Sequence, residues 1–374
     1  MNDTMKKLLI SVLMGVASVA AVVAVLFLVP SSPALMVDVP VYVGAVNEWG
    51  EPEGVAVTAY AICVAAGVAG ALLWMALCGK KRGGWTKGAE LALLSGVCAL
   101  FCSRLLFCVL RWSYIINDLG GIGADEGFVS HLGYWLSFLV QPWQGGFTMF
   151  GAIFGALLGA LVWARLRKHS LAETMDLLIP GLLLVIALGR FGEQFTAQGM
   201  ASDRAAEGLS LLPFAGQDEW GSPMLRVYAY EAIAALAALA ASLVMLLRKV
   251  PAGRAAETGL VIVSVMQIML DSWRNDEQIK FGFVCLNMVM AAVVVVFVLA
   301  TRIIRSVKAS GWKVWTIARI PLFLAAVGAV IIIEFGLDGK MGITASNSLL
   351  YGIQAAAIIA MGASVLIGDG RKAA

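Results

Sequence analysis

The residues of this chain best placed to do chemistry are charged side chains lying within or at the ends of apolar runs. They are Arg104 and Arg111, Arg190 and Glu193, Arg226 and Glu231, Asp271 and Arg274, and Glu334. An ionisable group is costly to place in hydrocarbon, so such residues face a protein interior and are functional candidates by default. A guanidinium presents a planar fork of donors that matches phosphate oxygens, so arginines gathered at one level of several helices suit a phosphate headgroup. For any single pair, structural ion pairing or snorkelling accounts for the charge equally well. The densest stretch is Gly189-Arg190-Phe191-Gly192-Glu193-Gln194-Phe195-Thr196-Ala197-Gln198-Gly199, directly after the apolar run 177–188. Its glycines allow close approach of backbones, and Arg190 supplies a fixed cation where a helix ends. On its own it could also be a packing motif with one snorkelling arginine.

The elements that must carry these residues are hydrophobic helices. Of the 374 residues 60% are hydrophobic and 14% charged, against roughly 45–50% apolar and 25% charged in a soluble domain, so water is not the main solvent. Spanning a bilayer takes roughly 20 apolar residues per helix. Ten stretches reach or approach that length, near 8–29, 54–78, 88–112, 146–165, 172–192, 226–247, 258–274, 281–301, 316–336 and 346–367. Lys and Arg collect in every second connection, 18 of the 27 on one side, while the alternate connections hold Asp38, Glu48, Glu51 and Glu53, then Asp118, Asp125 and Glu126, and onward in the same sense. The positive side is cytoplasmic. An even number of spans with both ends inside accounts for both sets, and predicts an all-α polytopic transmembrane helix bundle of about ten helices with cytoplasmic termini. The first segment, with Lys6, Lys7 and the small residues Ser31, Ser32 and Ala34, reads as a retained anchor, its apolar run exceeding a usual signal-peptide core, although a cleaved signal has the same pattern. Two connections on the outer side, roughly 113–145 and 193–225, are longer than topology requires and carry Trp135, Trp143 and Trp220; long aromatic loops often cover a site.

Other classes are excluded or weakly supported. The basic clusters behind the net charge of +3 are topology signals, so no nucleic-acid partner is expected. All six cysteines fall within apolar runs, where cysteine behaves as a small hydrophobe, and no metal-ligand set, nucleotide loop or Ser/His/Asp spacing is visible. No metal or cofactor is therefore expected. Glu334 reads as an interhelical hydrogen-bonding group, with a proton or partner site as the alternative.

With these residues in view, the chain resembles the bacterial prolipoprotein diacylglyceryl transferase family, whose signature runs Gly-Arg-x-Gly-Asn-Phe-x-Asn-x-Glu-x-x-Gly; the segment Gly189–Gly199 is similar to it. The likeness extends in order along 51–303. Trp85-Thr86-Lys87 with Glu90 and Leu91 looks like the entrance to the family's second helix, and Arg104 fits its Gly-Arg-x-x-Tyr stretch. Gly145-Gly146-Phe147-Thr148-Met149-Phe150-Gly151 is similar to Gly-Gly-Met-Ser-Phe-His-Gly. Asp176 and Pro180 fit its Asp-x-x-x-Pro, Tyr230-Glu231 the end of Pro-Ser-Gln-Leu-Tyr-Glu, and Asp271 with Arg274 its Glu-x-x-Arg; Tyr60 falls where the family carries a functional tyrosine. The chain departs from the pattern with Phe150 at the family histidine, Glu193 at a signature asparagine, Gln198 at the signature glutamate and Gln267 at an arginine.

The resemblance implies a transferase that moves a diacylglyceryl group from phosphatidylglycerol to the lipobox cysteine thiol of a preprolipoprotein, in the bacterial inner membrane, at a site facing the outer leaflet. It implies catalytic roles for Arg190, Glu193 and Tyr60. A substrate-binding set follows from the same likeness: Arg190, Arg104, Gln198, Gly199, Tyr230, Glu231, Gln267, Asp271, Arg274 and Phe150. With Phe150 unable to take a proton, Glu193 is the remaining candidate base, with simple pairing to Arg190 as the alternative. Residues 1–50 are expected to be an added anchor and loop, 51–303 the core, and 304–374 an added helix pair. A lipid-binding relative without turnover, or a small-solute transporter, would also use internal charges among ten helices.

Overall fold

Apolar runs of this length have one stable arrangement in a bilayer, the helix, because it satisfies every backbone polar group within the segment. The computed structural model describes residues 16, 40–42, 45–46, 52–53, 56–81, 85–119, 127–141, 146–196, 198–218, 220–275, 280–281, 284–337, 339, 341–342 and 344–367. The expected first span near 8–29, with its choice between anchor and signal, lies outside the described residues apart from position 16. Among the described residues nine helices are long and apolar enough to cross a membrane, and the chain is an all-α polytopic helix bundle.

The helices, in chain order, are α1 (Ala59–Lys81), α2 (Trp85–Leu110), α3 (Phe128–Leu139), α4 (Met149–Arg167), α5 (Leu171–Gly192), α6 (Asp203–Gly208), α7 (Val227–Leu247), α8 (Arg254–Trp273), α9 (Leu286–Ser310), α10 (Val314–Leu337) and α11 (Asn347–Leu366). All but the short α3 and α6 are of spanning length. Small antiparallel ladders join Pro40–Tyr42 to Ala56–Thr58, Ala45–Val46 to Pro52–Glu53, Ala215–Gln217 to Pro223–Leu225, and Lys280–Phe281 to Val284–Cys285.

Three expectations need correction. The first described helix begins at Ala59 rather than near 54, because 56–58 pair as a strand and the buried Thr58 then accepts from the Ala61 N–H with Oγ1 at 3.1 Å. The span expected near 281–301 is α9, displaced to Leu286–Ser310; Lys280–Cys285 form a hairpin, and the helix continues past Arg302, Arg305 and Lys308. The two long connections are partly built: 114–119 form a wide helical turn and Phe128–Leu139 a helix, while α6 and the hairpin 215–225 occupy the second.

The chain divides into two compact units, Met1–Ala197 and Gln198–Ala374. In the first, α4 packs along α2 and α5 along α1. Glycine makes the α2–α4 approach possible. A Cβ on Gly155 would stand 2.2 Å from the Cys98 carbonyl oxygen, and one on Gly151 or Gly159 would stand 2.7 Å from the Cα of Ser103 or Ser95. This four-residue glycine spacing brings two helix backbones into contact, where van der Waals packing drives association in lipid. Trp163, Leu91, Met75 and Leu178 close the core beside it. In the second unit α8 is the central helix, flanked by α7, α9 and α11, with α10 against α11.

Candidate active site

In the first unit the end of α5 carries the charged pair. Arg190 Nη1 donates to Glu193 Oε1 at 2.5 Å, with side chains 11% and 7% exposed, and Nη2 reaches Met149 Sδ at 3.3 Å. The pair is local: residues three apart share a helix face, and α5 gives way to a 3-10 turn over Glu193–Phe195. Gly192 lets α1 come close, since a Cβ there would stand 2.9 Å from Cys63 Cβ and 3.1 Å from the Tyr60 ring. Tyr60, Arg190 and Glu193 are thus neighbours.

Phe150 is 2% exposed in the first turn of α4, its ring 6.4 Å from that of Phe154. The turn is held by a reciprocal clamp. Thr148 N–H donates to Ser103 Oγ at 2.8 Å, Ser103 Oγ–H donates to the Thr148 carbonyl at 2.7 Å, and Thr148 Oγ1 caps Gly151. One residue on from Ser103, Arg104 is buried under Phe138 and gives its guanidinium to backbone: Nη2 to the Phe138 carbonyl at 2.6 Å and the Gln141 carbonyl at 3.0 Å, Nη1 to the Gly146 carbonyl at 3.3 Å. Arg104 therefore ties the end of α3 and the approach to α4 onto α2.

In the second unit two helices build a buried polar network. Arg274 Nη1 bonds to Glu231 Oε2 of α7, with side chains 5% and 1% exposed. Gln267 Nε2 donates to Glu231 Oε1 at 2.7 Å and to Asp271 Oδ1 at 2.8 Å. Gln267 and Asp271 lie four residues apart on α8, one turn, so both aim at the same face of α7. Arg226, which the sequence sets beside Glu231, is exposed instead. Tyr230 donates its hydroxyl to the Pro213 carbonyl and packs edge-on against Phe214 and Trp273, 5.6 and 5.7 Å between centroids. Gln198 is exposed; Gly199, at φ 77°, accepts from Tyr228 N–H at 3.0 Å. A left-handed φ there favours glycine, and the turn leads Met200 and Ala201 to bridge Arg226 and Arg274.

A model of the prolipoprotein diacylglyceryl transferase family matches residues 51–306. Among curated proteins, the phosphatidylglycerol–prolipoprotein diacylglyceryl transferase of Listeria innocua is 24% identical over 215 residues, 56% of this chain and 71% of its own length. That of Bacillus velezensis is 25% identical over 251 residues, 64% of this chain and 86% of its own. The chain belongs to the prolipoprotein diacylglyceryl transferase family. Its match to the family spans both compact units and so includes the Arg190–Glu193 pair and the Glu231–Arg274 network.

Within this family member one charged cluster was not expected from the sequence. Glu257, in the first turn of α8, receives Arg302 Nε at 2.8 Å and Arg305 Nη2 from α9. Arg302 and Arg305 were read as loop charges marking topology. The usable signal was their three-residue spacing on an extended helix opposite a lone glutamate in an apolar run.

Proposed function

We propose that this chain transfers a diacylglyceryl group from phosphatidylglycerol to the lipobox cysteine of a preprolipoprotein, in a bacterial inner membrane and at a site facing the outer leaflet. Family membership supports the reaction class, and the observation that carries it to these residues is that arginine–carboxylate groups stand buried at both signature regions. The S–C bond of a thioether forms, the C–O bond between the diacylglyceryl carbon and phosphate breaks, glycerol phosphate leaves with the electron pair, and the thiol proton passes to a base.

In this reading Arg190 and Arg274 hold the phosphodiester and stabilise charge developing on the leaving oxygen, where a preorganised donor acts most strongly in a water-poor site. A thiol of intrinsic pKa about 8.5 needs help to ionise. Glu193 is the acceptor: a phosphate drawing Arg190 towards itself loosens the 2.5 Å contact and leaves the carboxylate to take the proton. Tyr60 lies beside this pair and orients it, and Phe150 and Gly199 shape the surroundings. Gln267 keeps Glu231 and Asp271 turned inward, and Arg104 fixes the loop over 138–146. Tyr230 holds the Pro213 segment, and Gln198 sits at the rim. Residues 51–303 are the transferase core, with 1–50 and 304–374 as additions at its ends.

The test is complementation of a transferase-depleted bacterium together with transfer of lipid from phosphatidylglycerol to a lipobox peptide by membranes containing the chain. Growth and labelling are expected. Failure of both, with protein correctly inserted, overturns the reading; retained phosphatidylglycerol binding in that case would make the chain a lipid-binding relative.

A further inference from the structure

The family match ends at residue 306, yet the helix pair that follows is built into the surroundings of Arg274. At the start of α11, Ser348 Oγ donates to the Gly208 carbonyl of α6 at 2.6 Å. A Cβ on Gly208 would stand 3.0 Å from Asn347 Cβ and 3.4 Å from the Tyr351 ring, so glycine is what admits the helix so closely. Tyr351, 3% exposed, sets its ring at 77° to that of Trp273, centroids 6.1 Å apart. Its phenol interacts electrostatically with Glu334 and Arg204. Glu334 accepts from Gln354 Nε2 at 2.6 Å, joining α10 to α11. At the other end of α11, Arg302 donates to the Val365 and Leu366 carbonyls and Arg319 to that of Ile367, so the helix is fixed at both ends.

Trp273 is the residue through which this reaches the site. It precedes Arg274 at the point where α8 ends and the backbone turns extended. Its carbonyl accepts from Ser202 N–H at 2.8 Å. Its buried indole N–H has no hydrogen-bond partner among the described residues. What orients the indole is therefore packing, supplied by the edge-on rings of Tyr230 and Tyr351.

We propose that Tyr351 is a positioning residue: by holding Trp273 against Tyr230 it sets where Arg274 stands, so that the α10–α11 pair governs how tightly the site binds a phosphodiester lipid. This rests on the transferase reading for its substrate. Without the Tyr351 ring, Trp273 relaxes into the vacated volume, and the α8 terminus with Arg274 follows.

The test uses the full chain in detergent, with binding of fluorescent phosphatidylglycerol and transfer to a lipobox peptide measured side by side. Tyr351→Ala is expected to weaken binding and raise KM about 5-fold, the equivalent of losing one edge-on aromatic contact, with kcat within about 2-fold; Tyr351→Phe, which keeps the ring, binds as the parent does. Tyr351→Leu fills most of the volume without an aromatic edge and decides the matter if the alanine variant does not fold: a weakening of about 3-fold supports the proposal, and parent-like binding overturns it. A fall in kcat with KM and binding unchanged reports a smaller folded fraction and also overturns it. Binding that responds as stated, without transfer by the parent chain, upholds the positioning role and sinks the transferase reading. A parent chain that neither binds nor transfers sinks both.

Discussion

The two arginine–carboxylate groups of this protein are built differently. Arg190 and Glu193 belong to one helix end and are brought together by a three-residue step, with a few per cent of each side chain open. Glu231, Gln267, Asp271 and Arg274 come from two helices and are buried almost completely. A local pair depends on its neighbours for little beyond an exit from the helix, so it is free to exchange its partner for a ligand. A network spanning α7 and α8 holds the fold as well, because removing one member leaves its partner charged and dry.

Breaking the larger network should therefore give the largest loss. Arg274→Ala is expected to cost about 3–5 kcal/mol in unfolding in detergent and to abolish transfer, whereas Glu231→Leu with Arg274→Met recovers stability and not transfer. Gln267→Leu leaves two carboxylates without their shared donor, and a loss of about 2 kcal/mol is expected by the same unfolding measurement. Arg190→Ala sharpens the contrast: stability falls by only about 1 kcal/mol, while the transfer rate drops at least about 100-fold for want of the cation. Equal losses of stability at Arg190 and Arg274 would erase the distinction. Smallest of all for the fold, Glu193→Gln can still accept from Arg190 and should stay within about 1 kcal/mol of the parent. Its transfer rate should fall about 100-fold if the carboxylate is the base; transfer unchanged there, with Arg190→Ala inactive, would remove Glu193 from that role.

Legibility followed the same division. Hydropathy located the spans because a run of apolar residues has no alternative to a helix in lipid. It misjudged ends where charge intervened: α9 was cut at Arg302 and α8 begun after Glu257, although Glu257, Arg302 and Arg305 neutralise one another inside the helix pair. The Arg190–Glu193 contact was readable from its three-residue step. The partner of Glu231 was not, since Arg226 is five residues away and exposed while Arg274 is 43 residues away and buried against it.

By itself the sequence determined the solvent, the helical class and the family, because composition, apolar run length and motif order are properties of the chain read along its length. The tertiary structure alone decided which charge meets which, that Arg104 serves the backbone of 138–146, and that Tyr351 leans on Trp273. Those are matters of helix rotation and approach, set by where glycines such as Gly155 and Gly208 let backbones touch, and a distance of that kind has no signature in spacing along the chain.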